Sequence, residues 1–347
     1  MATERLVSPK PLAVEADDAP NWSLRPTRLD EYVGQRELVE RLSIAIQAVR
    51  RRQDPMEHLL LHGPPGLGKT TLAHVVAAEM GARAYTTSGP ALSRPTDLVA
   101  ALTRLEKGDV LFIDEIHRMP PAVEEFIYPA MEDFRIDVPV DSGMHARTIQ
   151  LDLKPFTLIG ATTRAGLVSS PLRSRFGIAH HLAFYSREDL LSILTRSARL
   201  LELPVGDRAA LDAIAARSRG TPRIANRLLR RARDFCEVKA DGRLTAPVVA
   251  QALALEGVDA LGLDPLDRAY LKTISSVYSG GPVGLEAVAA TLNEDAGTIE
   301  DVVEPFLLQI GFLARTRRGR MITRAAADHL GLPPPAEPSG APLFADA

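Results

Sequence analysis

The residues Gly63-Pro-Pro-Gly-Leu-Gly-Lys69-Thr70 are spaced to hold an anion. They fit G-x-x-x-x-G-K-[ST], a loop whose backbone N–H groups cradle phosphate. Gly66 and Gly68 let the backbone close around the anion and supply positive φ. Lys69 offers a point charge to β- and γ-phosphates, and the Thr70 hydroxyl suits a Mg²⁺ ligand. A second set is Val110-Leu-Phe-Ile-Asp114-Glu115, an apolar run ending in two acids. Desolvated carboxylates need a partner, either a Mg²⁺–phosphate complex or salt bridges at a helix start. On the first reading Asp114 helps hold the metal and Glu115 polarises a water, which implies hydrolysis as well as binding.

Further polar sets follow along the chain. Leu158-Ile-Gly-Ala-Thr162-Thr163-Arg164 runs from an apolar strand into hydroxyls, so Thr163 could orient water or a γ-phosphate, or simply end the strand. Pro171-Leu-Arg173-Ser-Arg175-Phe176 offers guanidiniums that either neutralise a transferring phosphoryl or remain solvated. Gly220-Thr-Pro-Arg223 opens a helix in which Ile224, Leu228, Ala232 and Phe235 share one face. Arg223, at its start, is placed to reach a nucleotide. Arg315-Thr-Arg317-Arg318-Gly-Arg320, with Arg324 beyond, carries no acid between Phe312 and Arg324. Such a ribbon suits DNA phosphates, or it is a basic edge that resists aggregation.

The elements needed to position these groups are legible around them. His58–His62, Ala84–Thr87, Asp109–Ile113 and Phe156–Thr162 read as strands of a parallel sheet covered on both faces. A helix is expected from Arg36 to Arg52 and another from Thr71 to Met80, closed by Gly81. The phosphate loop then sits at a helix N-terminus, where orphan N–H groups favour negative charge. From Ser186 to Glu256 the pattern is helical only. Asp264–Tyr278, Leu285–Leu292 and Thr298–Ile310 read as helices before two short strands flanking Gly319, which is a winged-helix plan. The fold class expected is α/β with a small helical lid and a C-terminal winged helix. The divisions are 21–184, 185–256 and 257–332, with disordered tails at 1–20 and 333–347.

Composition excludes other classes. The 347 residues are 46% hydrophobic and 24% charged, with net charge −3, so a nucleic-acid site must be a local patch. One cysteine, Cys236, excludes a disulfide framework and suits a reducing cytoplasm; on a helix it reads as a buried packing residue. No run of about 18 apolar residues is present to span a membrane.

These motifs in this order resemble the AAA+ ATPases, and several blocks resemble the RuvB family of Holliday-junction branch-migration motors in particular. Those blocks are Leu24-Arg25-Pro26, Glu31-Tyr-Val-Gly-Gln35, Phe112-Ile-Asp-Glu-Ile-His-Arg118, Tyr128-Pro-Ala-Met-Glu-Asp-Phe134, Arg219-Gly-Thr-Pro-Arg223 and Gly280-Gly-Pro-Val-Gly284. The resemblance implies that Leu24 and Arg25 contact the adenine end of ATP or ADP. Gly66, Gly68, Lys69, Thr70 and Thr71 would hold the phosphates, with Mg²⁺ on Thr70 and Asp114. Glu132, Asp133, Phe134 and Tyr185 would add nucleotide contacts. Glu115 and Thr163 would serve hydrolysis, Thr163 in the sensor-1 place, and Arg223 would be sensor 2. Arg175 matches the arginine finger that acts on the neighbouring subunit of a hexamer. Residues 135–151 match a hairpin that grips RuvA, RuvC joins in the resolvase complex, and Arg315 and Arg320 match DNA-contacting arginines. Arg317 stands where the family commonly has Pro. A clamp-loader-like or protein-remodelling ATPase would share every motif up to Arg223, and a slow nucleotide-gated DNA-binding regulator is a third possibility. The basic wing favours a DNA motor.

Overall fold

The structure, a computed structural model, describes residues 24–52, 54–139 and 148–334. The anticipated tail at 1–20, the tail at 333–347 beyond residue 334, and the tip of the 135–151 hairpin lie outside the described residues. Helix α1 (Arg36–Arg52) precedes strand β1 (Leu59–His62), and α2 (Lys69–Met80) leaves the phosphate loop. Next come β2 (Ala84–Ser88), α3 (Pro95–Leu102), β3 (Val110–Asp114) and α4 (Pro121–Glu132). An antiparallel hairpin, β4 (Arg135–Pro139) and β5 (Thr148–Asp152), then projects before β6 (Thr157–Thr162), α5 (Ser170–Ser174) and β7 (Ile178–His181). The five other strands form one parallel sheet in the order β2-β3-β6-β1-β7.

The sheet's pleat sorts the apolar runs onto two faces. Leu59, Leu61, Val110 and Phe112 point into one cluster with α1 and α2, while Leu60, Leu111 and Ile113 point into another with α3 and α4. Alternate residues face opposite sides, so a strand buried on both reads as a continuous apolar run. The edge strands differ. β2 and β7 are only half buried, and β7 was not anticipated from the sequence because an edge strand needs no apolar run.

Four helices follow: α6 (Arg187–Leu200), α7 (Arg208–Ala216), α8 (Pro222–Lys239) and α9 (Ala246–Leu255). The Ser186 hydroxyl caps α6 by accepting from Asp189 N, and Asp207 caps α7 by accepting from Ala210 N. On α8 the buried face runs through Ala225, Leu228, Leu229, Ala232 and Cys236, with Ile224 and Phe235 at its margin. The cysteine is therefore a packing residue. These helices share the apolar cluster of α1 and α2.

The C-terminal unit has its own core. It comprises α10 (Pro265–Val277), α11 (Leu285–Leu292), α12 (Ala296–Thr298), a π-helical turn (Ile299–Val303) and α13 (Glu304–Gln309). The antiparallel pair β8 (Leu313–Thr316) and β9 (Gly319–Ile322) follows, then α14 (Arg324–Leu330). A bridge from Val283 to Arg320 ties the wing back to the helices. Gly319 has φ 136, and a Cβ there would meet Val283 O at 2.3 Å. Only glycine fits that crossing.

Candidate functional site

The phosphate loop folds because glycines occupy its left-handed positions. Gly66 has φ 81 and Gly68 φ 94, and a Cβ on Gly68 would stand 3.0 Å from the Tyr32 hydroxyl. Gly68 also caps α2, leaving that helix's first N–H groups directed at the loop. Lys69 is buried and donates from Nζ to Gly63 O at 2.7 Å and Pro64 O at 3.0 Å. Burial pulls its ammonium down to about 8, with the Glu115 and Asp114 carboxylates opposing the fall.

Two strand ends, those of β3 and β6, bring the other groups to this loop. Thr70 Oγ1, at the start of α2, donates to Asp114 Oδ2 at 3.5 Å. Burial raises the Asp114 carboxyl, and Glu115 adds to it, while a bond from the Glu115 N–H and the nearby Lys69 and Arg223 work against the rise. Glu115 adopts φ 45, a left-handed conformation that turns its side chain away from the line of β3. Its Oε2 accepts from Thr163 Oγ1 at 3.1 Å and Thr163 N at 3.3 Å, and lies 3.2 Å from His117 Nδ1. His117 also meets Thr162 Oγ1 at 2.8 Å, and its imidazole is depressed by burial. The Glu115 carboxylate is thus held by the end of β6 and by a histidine that residue typing did not single out.

The helical unit closes the opposite wall. Arg223 enters at the first turn of α8, with its N–H donating to Gly66 O at 3.4 Å. The Tyr185 hydroxyl donates to Leu67 O at 3.2 Å and shares a 3.1 Å bond with the Tyr32 hydroxyl, and burial drives its phenol up to about 12. Together these walls enclose a cavity of about 330 Å³. Leu24, Arg25, Gly66, Gly68, Lys69, Thr70, Thr71, Asp114, Glu115, Thr163, Tyr185 and Arg223 all line it. Tyr32, Arg196 and Asn226 line it as well. Sequence reasoning missed those three because only tertiary packing brings them there.

The other residues singled out lie elsewhere. Glu132, Asp133 and Phe134 do not line this cavity. Phe134 packs its ring on His58 and Phe156, Asp133 pairs with Arg135, and Glu132 pairs with Arg175 at 3.2 Å. The Arg175 guanidinium sits 4.3 Å over the Tyr128 ring and donates to Pro171 O at 2.7 Å, likewise off the cavity. Arg315 and Arg320 both bind Glu304, which is fully buried and also accepts from the Tyr270 hydroxyl at 2.6 Å. These bonds hold the Glu304 carboxyl low in spite of burial. At the ribbon's tip Arg317 and Arg318 are exposed.

A parallel sheet with a phosphate loop after its first strand, an acid pair ending a central strand, and an arginine returning from a helical lid defines a P-loop ATPase of the AAA+ class. Three consecutive stretches match family descriptions: the P-loop domain of the Holliday junction DNA helicase RuvB over 24–182, the RuvB AAA lid domain over 185–259, and the RuvB C-terminal winged helix domain over 260–331. The chain belongs to the RuvB family. It is 51% identical to the Thermotoga maritima RuvB Holliday junction branch migration motor, with 90% of this chain and 100% of that chain covered at a TM-score of 0.83. A single-substitution mutant of the Thermotoga maritima protein superposes equally well, at 50% identity over 89% of this chain and 98% of its own, with a TM-score of 0.83. Among the described residues no helix is long and apolar enough to cross a membrane.

Proposed function

We propose that this chain is the ATP-hydrolysing subunit of a ring that drives branch migration of Holliday junctions, and that each catalytic site is shared between neighbours. The observation that carries this reading is a division of labour. One cavity gathers Lys69, Asp114, Glu115, Thr163 and Arg223, whereas Arg175 stands outside it on a different edge. A guanidinium so placed serves the cavity of the next subunit, completing it in trans. Glu132, Asp133 and Phe134 occupy that same edge and would contact the neighbour's nucleotide there.

Within the cavity the phosphate loop and Lys69 orient the triphosphate. Thr70 and Asp114 present hard oxygens side by side, a donor set that fits Mg²⁺. Bound there, the ion would neutralise phosphate charge. Glu115 takes the proton of the attacking water, and Thr163 holds its carboxylate until the reacting geometry is complete. Arg223 reports the nucleotide to the lid on which it rides.

The hairpin of β4 and β5 leaves Ile149 and Leu151 exposed at 51% and 36%, an apolar pair suited to a protein partner such as RuvA. On the wing, Arg315 stays partly exposed and joins Arg317 and Arg318 in a basic ribbon for DNA phosphates. RuvC and a cytoplasmic setting complete the reading. The test is a synthetic four-way junction incubated with ATP, with and without RuvA. ATP-dependent conversion to branch-migrated duplexes in the presence of RuvA is expected, and its absence would sink the proposal.

A further inference from the structure

Arg164 follows Thr163 where β6 ends, and it reaches into the winged-helix unit. Its Nε donates to Asp301 Oδ1 at 2.9 Å, and a terminal nitrogen lies 3.1 Å from Glu300 Oε2. One guanidinium therefore spans two adjacent acids. Both acids belong to the π-helical turn Ile299–Val303, a register change that marks functional positions in helices. On its other side Glu300 Oε1 lies 3.9 Å from Arg315 and 3.7 Å from Arg320, the two arginines bound to Glu304. Three guanidiniums and three carboxylates thus form one electrically balanced cluster. Since Thr163 holds Glu115, a continuous line of contacts runs from the hydrolytic carboxylate to the wing arginines.

A second tie joins the lid to the same unit and has the opposite character. Arg219 binds Asp267 at 2.6 Å and Asp264 at 2.8 Å, donates to Gly262 O at 2.8 Å and lies over the Phe306 ring. Its side chain is 5% exposed and that of Asp267 0%, so breaking this joint would strand a buried charge. The Arg164 side chain is 32% exposed, with Glu300 at 33% and Asp301 at 34%. A pair that open to water separates at little cost. The wing is fixed to the lid and only latched to the sheet.

We propose that Arg164 is the positioning residue through which the nucleotide site regulates DNA binding by the wing. Seated on Glu300 and Asp301, it offsets one of their two negative charges and weakens the pull of Glu300 on Arg315 and Arg320, leaving more of their field available to DNA. When the lid moves and carries the wing away from β6, Glu300 turns its full charge on the two arginines and the DNA is loosened. The inference rests on the wing being the DNA-contacting element.

The experiment measures binding of a random-sequence duplex to the intact protein with ATPγS and with ADP. Wild type should differ between the two nucleotides by roughly tenfold, the usual size of such coupling. Arg164→Gln should collapse that ratio toward one, and Arg164→Asp combined with Asp301→Arg should restore it, which a merely structural loss would not allow. A ratio unchanged in Arg164→Gln, or unrestored in the charge swap, overturns the inference. Arg315→Ala with Arg320→Ala separates the two ideas: undiminished binding by that variant sinks the wing reading itself. Amide exchange over 299–303, measured without DNA, then decides the coupling. Nucleotide-dependent protection that vanishes in Arg164→Gln supports it, and protection equal in both proteins overturns it.

Discussion

Lys69 carries a charge that its own surroundings oppose. Burial lowers its ammonium from 10.5 to about 8, because two carbonyls and distant acids replace water incompletely. The folded, ligand-free chain therefore holds fewer protons than the unfolded chain between those values, and its stability rises as pH climbs from about 8 towards 10.5. Nucleotide affinity has the opposite sign, since the triphosphate requires the charged form. Above about pH 8 affinity should fall, approaching tenfold per pH unit, with proton uptake visible by calorimetry in buffers of different ionisation enthalpy. Lys69→Arg should flatten that profile; a wild type that binds without proton uptake would contradict it. Glu115→Gln should lower hydrolysis by roughly 10²–10⁴ while nucleotide binding persists. Retained turnover would move the base to another group. Lys69, Asp114 and Glu115 were legible in the sequence because their chemistry is local to a loop and a strand end. His117, Arg164 and Arg219 were not. Arg164 meets Asp301 across 137 positions, and nothing in either residue's neighbourhood names the other.

At the scale of elements, the sequence announced what burial on both faces makes obvious. β1, β3 and β6 are continuous apolar runs; the wing's two strands were legible too, but its turn falls on Arg317-Arg318, and the expected turn residue Gly319 opens β9 opposite Thr316. It hid what depends on edges and register: β7, whose residues alternate, and the π turn, which interrupts an otherwise ordinary helix. The wing's shape depends on the crossing at Gly319, where β9 passes under Val283. Gly319→Ala should cost about 1–3 kcal/mol in that unit, through strain at φ 136 and collision with the Val283 carbonyl. A lowered melting temperature for the C-terminal unit, with nucleotide binding intact, is the expected result. An unchanged melt would mean that the ribbon simply shifts aside.

For the whole molecule, the trans role proposed for Arg175 would make hydrolysis a property of assemblies. Arg175→Ala should reduce turnover by roughly 10³–10⁵ yet leave nucleotide binding by the single chain intact. Wild-type activity per chain should rise with protein concentration as contacts form. A mutant that loses binding, or a wild type whose specific activity ignores concentration, would return the arginine to a purely internal role on Tyr128 and Glu132.

The apolar interior is partitioned differently from the chain's functional parts. One cluster runs from α1 and α2 across a sheet face into the four lid helices, while the winged helix keeps a core of its own. Heat should therefore melt the protein in two blocks, with sheet and lid lost together and the winged helix separately. A chain severed between α9 and α10 should yield two folded pieces, whereas one severed between β7 and α6 would expose the middle of a shared interior. A lid whose apolar side chains continue a neighbour's core has to re-seat those contacts each time it moves.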